Sequence, residues 1–145
     1  DWSSDVCSSD LVHNWKGAGL RDVLLAELSP FGPERYDLGG PALTLAPSAA
    51  LALGLVFHEL ATNAVKYGAL SRPDGSVSVW WRAEEGMLDL TWIEHGGPPV
   101  SAPERRGFGS RRIERSLDSQ LGGGARLEFA PGGLICRVTL PVGEA

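Results

Sequence analysis

The sequence predicts an α+β fold: a two-layer sandwich in which a mixed, mostly antiparallel sheet is covered on one face by about three helices. Along the chain the apolar residues switch between a helical period and the alternation of half-buried strands. Most strand-like segments come in hairpin-ready pairs, and no repeat or internal linker divides the chain. A length of 145 residues gives room for one domain with one core.

The first helix is expected at Leu20–Leu28, where Leu20, Val23, Leu24 and Leu28 form one stripe. The breakers Ser29-Pro30-Phe31-Gly32-Pro33 stop it. Residues 36–38 and 42–45 read as short strands separated by the turn Gly39-Gly40-Pro41. A second helix starts near Pro47-Ser48, because proline suits the first helical turn. It runs to about Tyr67 and stops at Gly68, a suitable residue past a helix end. Residues 76–83 alternate through Val77, Val79 and Trp81, and residues 87–93 alternate likewise. Glu85-Gly86 joins these two as a hairpin turn. Residues 96–106 are rich in breakers and read as a loop. A third helix is expected over residues 110–121, with Ile113, Leu117 and Leu121 on one face. Residues 125–129 and 134–140 make a last hairpin around Pro131-Gly132-Gly133.

The first eleven residues, Asp1-Trp2-Ser3-Ser4-Asp5-Val6-Cys7-Ser8-Ser9-Asp10-Leu11, resemble the translated read-through of a sequencing-library adapter. An adapter ending in the bases CT encodes leucine whatever base follows, as at Leu11. The stretch has neither a helical nor a strand period. It is therefore expected to be foreign, a genuine polar N-terminal tail being the alternative, with the domain occupying residues 12–145 and the natural gene continuing upstream. Leaving it out removes Asp1, Asp5 and Asp10 but no basic residue, so the formal charge of −5 becomes −2. Neither value suits a non-specific nucleic-acid binder, which carries a basic surplus. Cys7 and Cys136 have no CxxC spacing and support neither a zinc site nor a disulfide framework. A reducing, cytoplasmic setting is expected. The longest apolar run, residues 49–57, is roughly half the length of a bilayer-spanning helix, so no membrane contact is expected of this segment.

The chemistry gathers in two places. On the second helix Glu59 and Asn63 are four residues apart and share a face, which Lys66 joins three residues later. An amide or carboxylate oxygen can ligate Mg²⁺, and an ammonium can neutralise a phosphate. The same spacing also fits a solvated polar face. The second place is Trp92-Ile93-Glu94-His95-Gly96-Gly97-Pro98-Pro99-Val100, which sets an acid at a strand end just before two glycines. Gly107-Phe108-Gly109 follows, directly before the third helix. Glycines let backbone approach a ligand, and a helix N-terminus offers N–H groups to phosphate. An ordinary loop is the alternative. No GxxxxGK[ST] motif is present, so this is not a Walker-type P-loop.

The segment His58-Glu59-Leu60-Ala61-Thr62-Asn63-Ala64-Val65-Lys66-Tyr67-Gly68-Ala69-Leu70-Ser71 resembles the N box of the HWE histidine kinases. Trp92-Ile93-Glu94-His95-Gly96-Gly97-Pro98 resembles that family's G1 region, and Gly107-Phe108-Gly109 its G2 region. The three letters of the family name match His58, Trp92 and Glu94, and the similarity runs from Val12 to Val142. The resemblance implies the Bergerat, or GHKL, ATP-binding fold, with ATP and Mg²⁺ as ligands. It implies that Asn63 coordinates the metal, that Glu59 assists phosphoryl transfer or metal binding, and that Lys66 meets a phosphate. His58 and Tyr67 border the nucleotide in this reading, with a packing or hydrogen-bonding role for His58 equally open. Glu94 stands where most relatives carry an Asp that accepts a hydrogen bond from the adenine amino group, and it is one methylene longer. Gly96 and Gly97 let the base and lid close, while Gly107, Phe108 and Gly109 cover the phosphates. Arg105 and Arg106 in the lid could touch phosphate or simply be solvated. Trp92 reads as a packing residue, and Cys136 as a small buried one.

The reaction implied is transfer of the ATP γ-phosphoryl group to a histidine, then to an aspartate of a response regulator. The acceptor is expected on an upstream dimerisation domain, which would make the full-length kinase a homodimer. His13, followed by Asn14-Trp15-Lys16, does not match the acceptor motif, and His95 lies in the nucleotide loop. Two other readings stay open: a GHKL serine kinase of the anti-sigma type, and a degenerate nucleotide-sensing or interaction module.

Overall fold

A computed structural model describes residues 18–98, 123–130 and 132–142. Strand β1 (Ala18–Gly19) leads into helix α1 (Leu20–Leu28), which buries Leu20, Leu24 and Leu28 on one stripe. No side chain caps α1. Instead its first amide, Leu20 N, donates to Leu43 O at 2.9 Å. Two short 3₁₀ turns, Ser29–Phe31 and Pro33–Arg35, end the helix where the prolines cluster.

Strands β2 (Tyr36–Gly39) and β3 (Thr44–Leu45) follow, but they do not form a hairpin. β3, shorter than expected, pairs antiparallel with β1, while β2 joins the main sheet. The connection between them is committed elsewhere, since the carbonyl of Pro41 accepts the Trp81 indole N–H at 2.9 Å.

Helix α2 (Pro47–Tyr67) begins on proline and packs Ala49, Ala52, Leu53, Val56, Phe57, Leu60, Ala61 and Ala64 into the core. Spacings of three and one mark a single continuous face. By length and mean hydropathy (1.3) α2 could cross a membrane, contrary to the reading of its apolar run. It is the central core helix of this fold, with a polar far half. Gly68 ends it as expected, yet its φ of −119° is not the left-handed conformation of a glycine cap. A 3₁₀ turn, Ala69–Ser71, continues from there.

Strands β4 (Ser76–Glu84), β5 (Met87–His95), β6 (Gly124–Ala130) and β7 (Gly133–Pro141) complete a five-stranded sheet of order β2-β4-β5-β7-β6. Among the described strands of this sheet only the β2–β4 pairing is parallel. The β4–β5 turn is the expected Glu85-Gly86, with φ of 54° and 76°, the signs a type I′ turn requires. Alternate residues of β4, β5 and β7 face the helices: Val77, Val79 and Trp81; Leu88, Leu90 and Trp92; Cys136, Val138 and Leu140. Phe57 of α2 stacks on Trp92 at 6.4 Å between centroids, joining the layers at the centre of the core. Cys136 is buried as expected. The predicted loop beyond Pro98 and the third helix at 110–121 lie outside the described residues.

Candidate functional site

On the inner face of β5 the alternation Leu88, Leu90, Trp92 continues to Glu94. Position 94 should therefore be apolar, and among the described residues it holds the only charged side chain in the core, 2% exposed. Burying a carboxylate is costly unless donors replace its water. Two are supplied. Ala69 N donates to Oε1 at 3.1 Å, and the Trp92 indole N–H donates to Oε2 at 3.3 Å. Residues two apart on a strand share a face, which brings the Trp92 ring within reach. Ala69 is the first residue after Gly68, so the acid ties the end of β5 to the end of α2.

The loop after β5 closes onto the same junction. Gly96 has φ of 75°. A Cβ on Gly97 would stand 2.7 Å from Ala69 N and 2.8 Å from Gly68 C, both backbone atoms that cannot move aside. The glycine is thus explained by close packing on the α2 terminus, before any ligand is considered. Arg35 supports the junction from below: its Nε and Nη2 donate to Gly75 O at 2.8 Å and Arg72 O at 2.6 Å. Nothing in the sequence marks Arg35 out, because its partners are backbone carbonyls some forty residues away.

The polar face of α2 leads up to this junction. Glu59 and Asn63 are half-buried on neighbouring turns, and Lys66 and Tyr67 are exposed. His58 is turned to another duty. Its Nδ1 lies 3.0 Å from Glu27 Oε1 on α1, with the imidazole 65% exposed. His95 meets Ser78 Oγ at 3.1 Å across the outer face of the sheet. Among the described residues no three His, Cys, Asp or Glu side chains converge as a metal site. Asn63 and Glu59 could supply one or two hard oxygens, which suits Mg²⁺ that takes most of its ligands from phosphates and water. Gly107, Phe108, Gly109, Arg105, Arg106 and His13 lie outside the described residues.

No family model matches the chain. It is 38% identical over 139 residues to the blue-light-activated histidine kinase of Brucella abortus, and 37% to that of Brucella anthropi. Each match takes in 91% of this chain and 28% of the relative, so the chain spans little more than a quarter of these curated relatives. Solved histidine kinases share its fold. The blue-light activated kinase EL346 of Erythrobacter litoralis superposes with a TM-score of 0.67 at 20% identity, over 85% of this chain and 40% of that one. The catalytic domain of the kinase ThkA superposes with 0.65 at 13% identity, over 87% of this chain and 96% of that one.

The chain is thus similar to part of the blue-light-activated histidine kinases and has the fold of histidine kinase catalytic domains. Among the described residues, the five-stranded sheet and two helices fit the expected α+β class. Its buried acid, Glu94, and the end of α2 meet through the Ala69 amide.

Proposed function

We propose that this catalytic domain binds ATP with Mg²⁺ between the polar face of α2 and the Gly96-Gly97 loop. From there the γ-phosphoryl group passes to a histidine on an upstream dimerisation domain, and then to an aspartate of a response regulator. The observation that carries the reading is Glu94, a buried acid at the end of β5 hydrogen-bonded to the first residue beyond α2. That link holds a base-reading acid and a phosphate-reading helix in one frame.

In this reading Glu94 accepts from the adenine amino group, Asn63 and Glu59 offer oxygens to the metal, and Lys66 neutralises a phosphate. Bound Mg²⁺ would draw charge from the triphosphate and hold it in place for transfer. Gly107, Phe108 and Gly109 would cover the phosphates, with Tyr67 at the edge of the site. We assign the chain to the HWE group on His58, Trp92 and Glu94, and the domain to residues 12–145 of a homodimeric cytoplasmic kinase. His58 we place in the α1–α2 contact through Glu27 rather than against the nucleotide.

Calorimetric titration of wild type and Asn63→Ala with Mg·ATP tests the reading. Wild type is expected to bind, and the variant to bind at least about tenfold more weakly, the loss of an oxygen on a charged ligand. Equal binding by the two, or binding by neither, would overturn it.

A further inference from the structure

The proposed adenine-reading acid is not held by its own backbone alone. Glu94 hangs from a strand end, and a glutamate has three side-chain torsions through which its carboxylate could turn. Two donors restrict it from different elements: Ala69 N beyond α2 and Trp92 Nε1 on β5. Of the two donors, the indole is the one whose position is set by a side chain. The ring is fully buried and stacks on Phe57 of α2 with 13° between planes. Its N–H therefore points from a fixed place in the core.

We propose that Trp92 is a positioning residue for the Glu94 carboxylate, and that its indole N–H sets the preference of the site for adenine over guanine. The inference rests on the nucleotide reading above. A carboxylate accepts hydrogen bonds and cannot donate them. It suits the 6-amino group of adenine and repels the 6-oxo group of guanine. A carboxylate free to turn could instead meet the N1–H and 2-amino group of guanine. Fixing the plane of Glu94 removes that option. The extra methylene relative to an aspartate has a use here, since the longer side chain reaches both donors.

Trp92→Phe keeps an aromatic ring against Phe57 and deletes the N–H together with part of the indole bicycle, a loss of packing that bears on both nucleotides alike. Its ATP affinity should stay within about threefold of wild type, while the ratio of GTP to ATP dissociation constants falls by about tenfold, the scale of one hydrogen bond to a charged group. Glu94→Gln, which exchanges one acceptor for a donor, should lower the same ratio further. A role in packing alone would weaken both nucleotides equally. Should the Phe variant fail to fold, the wild-type protein still decides. The Trp92 indole N–H resonance, assigned among the tryptophans by its response in Glu94→Gln, should shift on adding ADP and not on adding pyrophosphate. An unchanged ratio in a folded Trp92→Phe overturns the proposal, as does an indole set with no resonance sensitive to Glu94→Gln. If wild type binds neither nucleotide, the ATP reading itself fails and takes this proposal with it.

Discussion

A carboxylate taken out of water must find donors inside the protein, and Glu94 finds an amide from one element and an indole from its own. Removing the acid while keeping its surroundings leaves both N–H groups buried without it. Glu94→Ala is therefore expected to lower stability by about 2–4 kcal/mol, read as an earlier midpoint in urea unfolding. His58 contrasts with it. Its partner Glu27 lies on the next helix, but the imidazole is 65% exposed, so water already satisfies much of it. His58→Ala should cost less than about 1 kcal/mol and leave Mg·ATP affinity unchanged. A tenfold loss of affinity in that variant would return His58 to the nucleotide site.

The junction of α2, the Ala69–Ser71 turn and the Gly96-Gly97 loop is built from backbone touching backbone. Side chains there have little room to compensate for added bulk. Gly97→Ala would press a methyl group onto Ala69 N and Gly68 C. A cost of about 1–3 kcal/mol is expected, together with weaker nucleotide binding, because the α2 terminus must shift to relieve the contact. Thermal unfolding and titration of the same sample measure both effects. A variant as stable as wild type would mean that the loop can stand away from α2 without loss. The helix itself was legible: its bounds, Pro47–Tyr67, follow from a starting proline and a closing glycine. Less legible was the reason for the glycines at its far end. Sequence suggested ligand approach at Gly97, whereas the folded chain places another segment of backbone against it.

At the scale of the molecule, the proposed phosphoryl transfer needs an acceptor histidine, and none of His13, His58 and His95 is assigned that role in the proposal. Incubation of this chain with γ-labelled ATP should leave no acid-labile phosphate on it; label on any of the three histidines would refute that. The local periods told most of the fold. Alternation placed β4, β5 and β7 to within a residue or two, and Glu85-Gly86 joined the first two by the left-handed angles it could adopt. Periodicity could not reveal that β2 pairs in parallel with β4 while β3 turns back to β1. Strand partners are chosen by contacts between distant segments, and a period reports only on neighbours in the chain. The α+β sandwich was within reach of the amino acids alone, because helical and strand spacing are local properties. The meeting of Glu94, Trp92, Phe57 and Ala69 required the chain to be folded. A carboxylate finds its donors through three-dimensional packing, and no spacing along the chain encodes a distance of 3.1 Å between residues twenty-five positions apart.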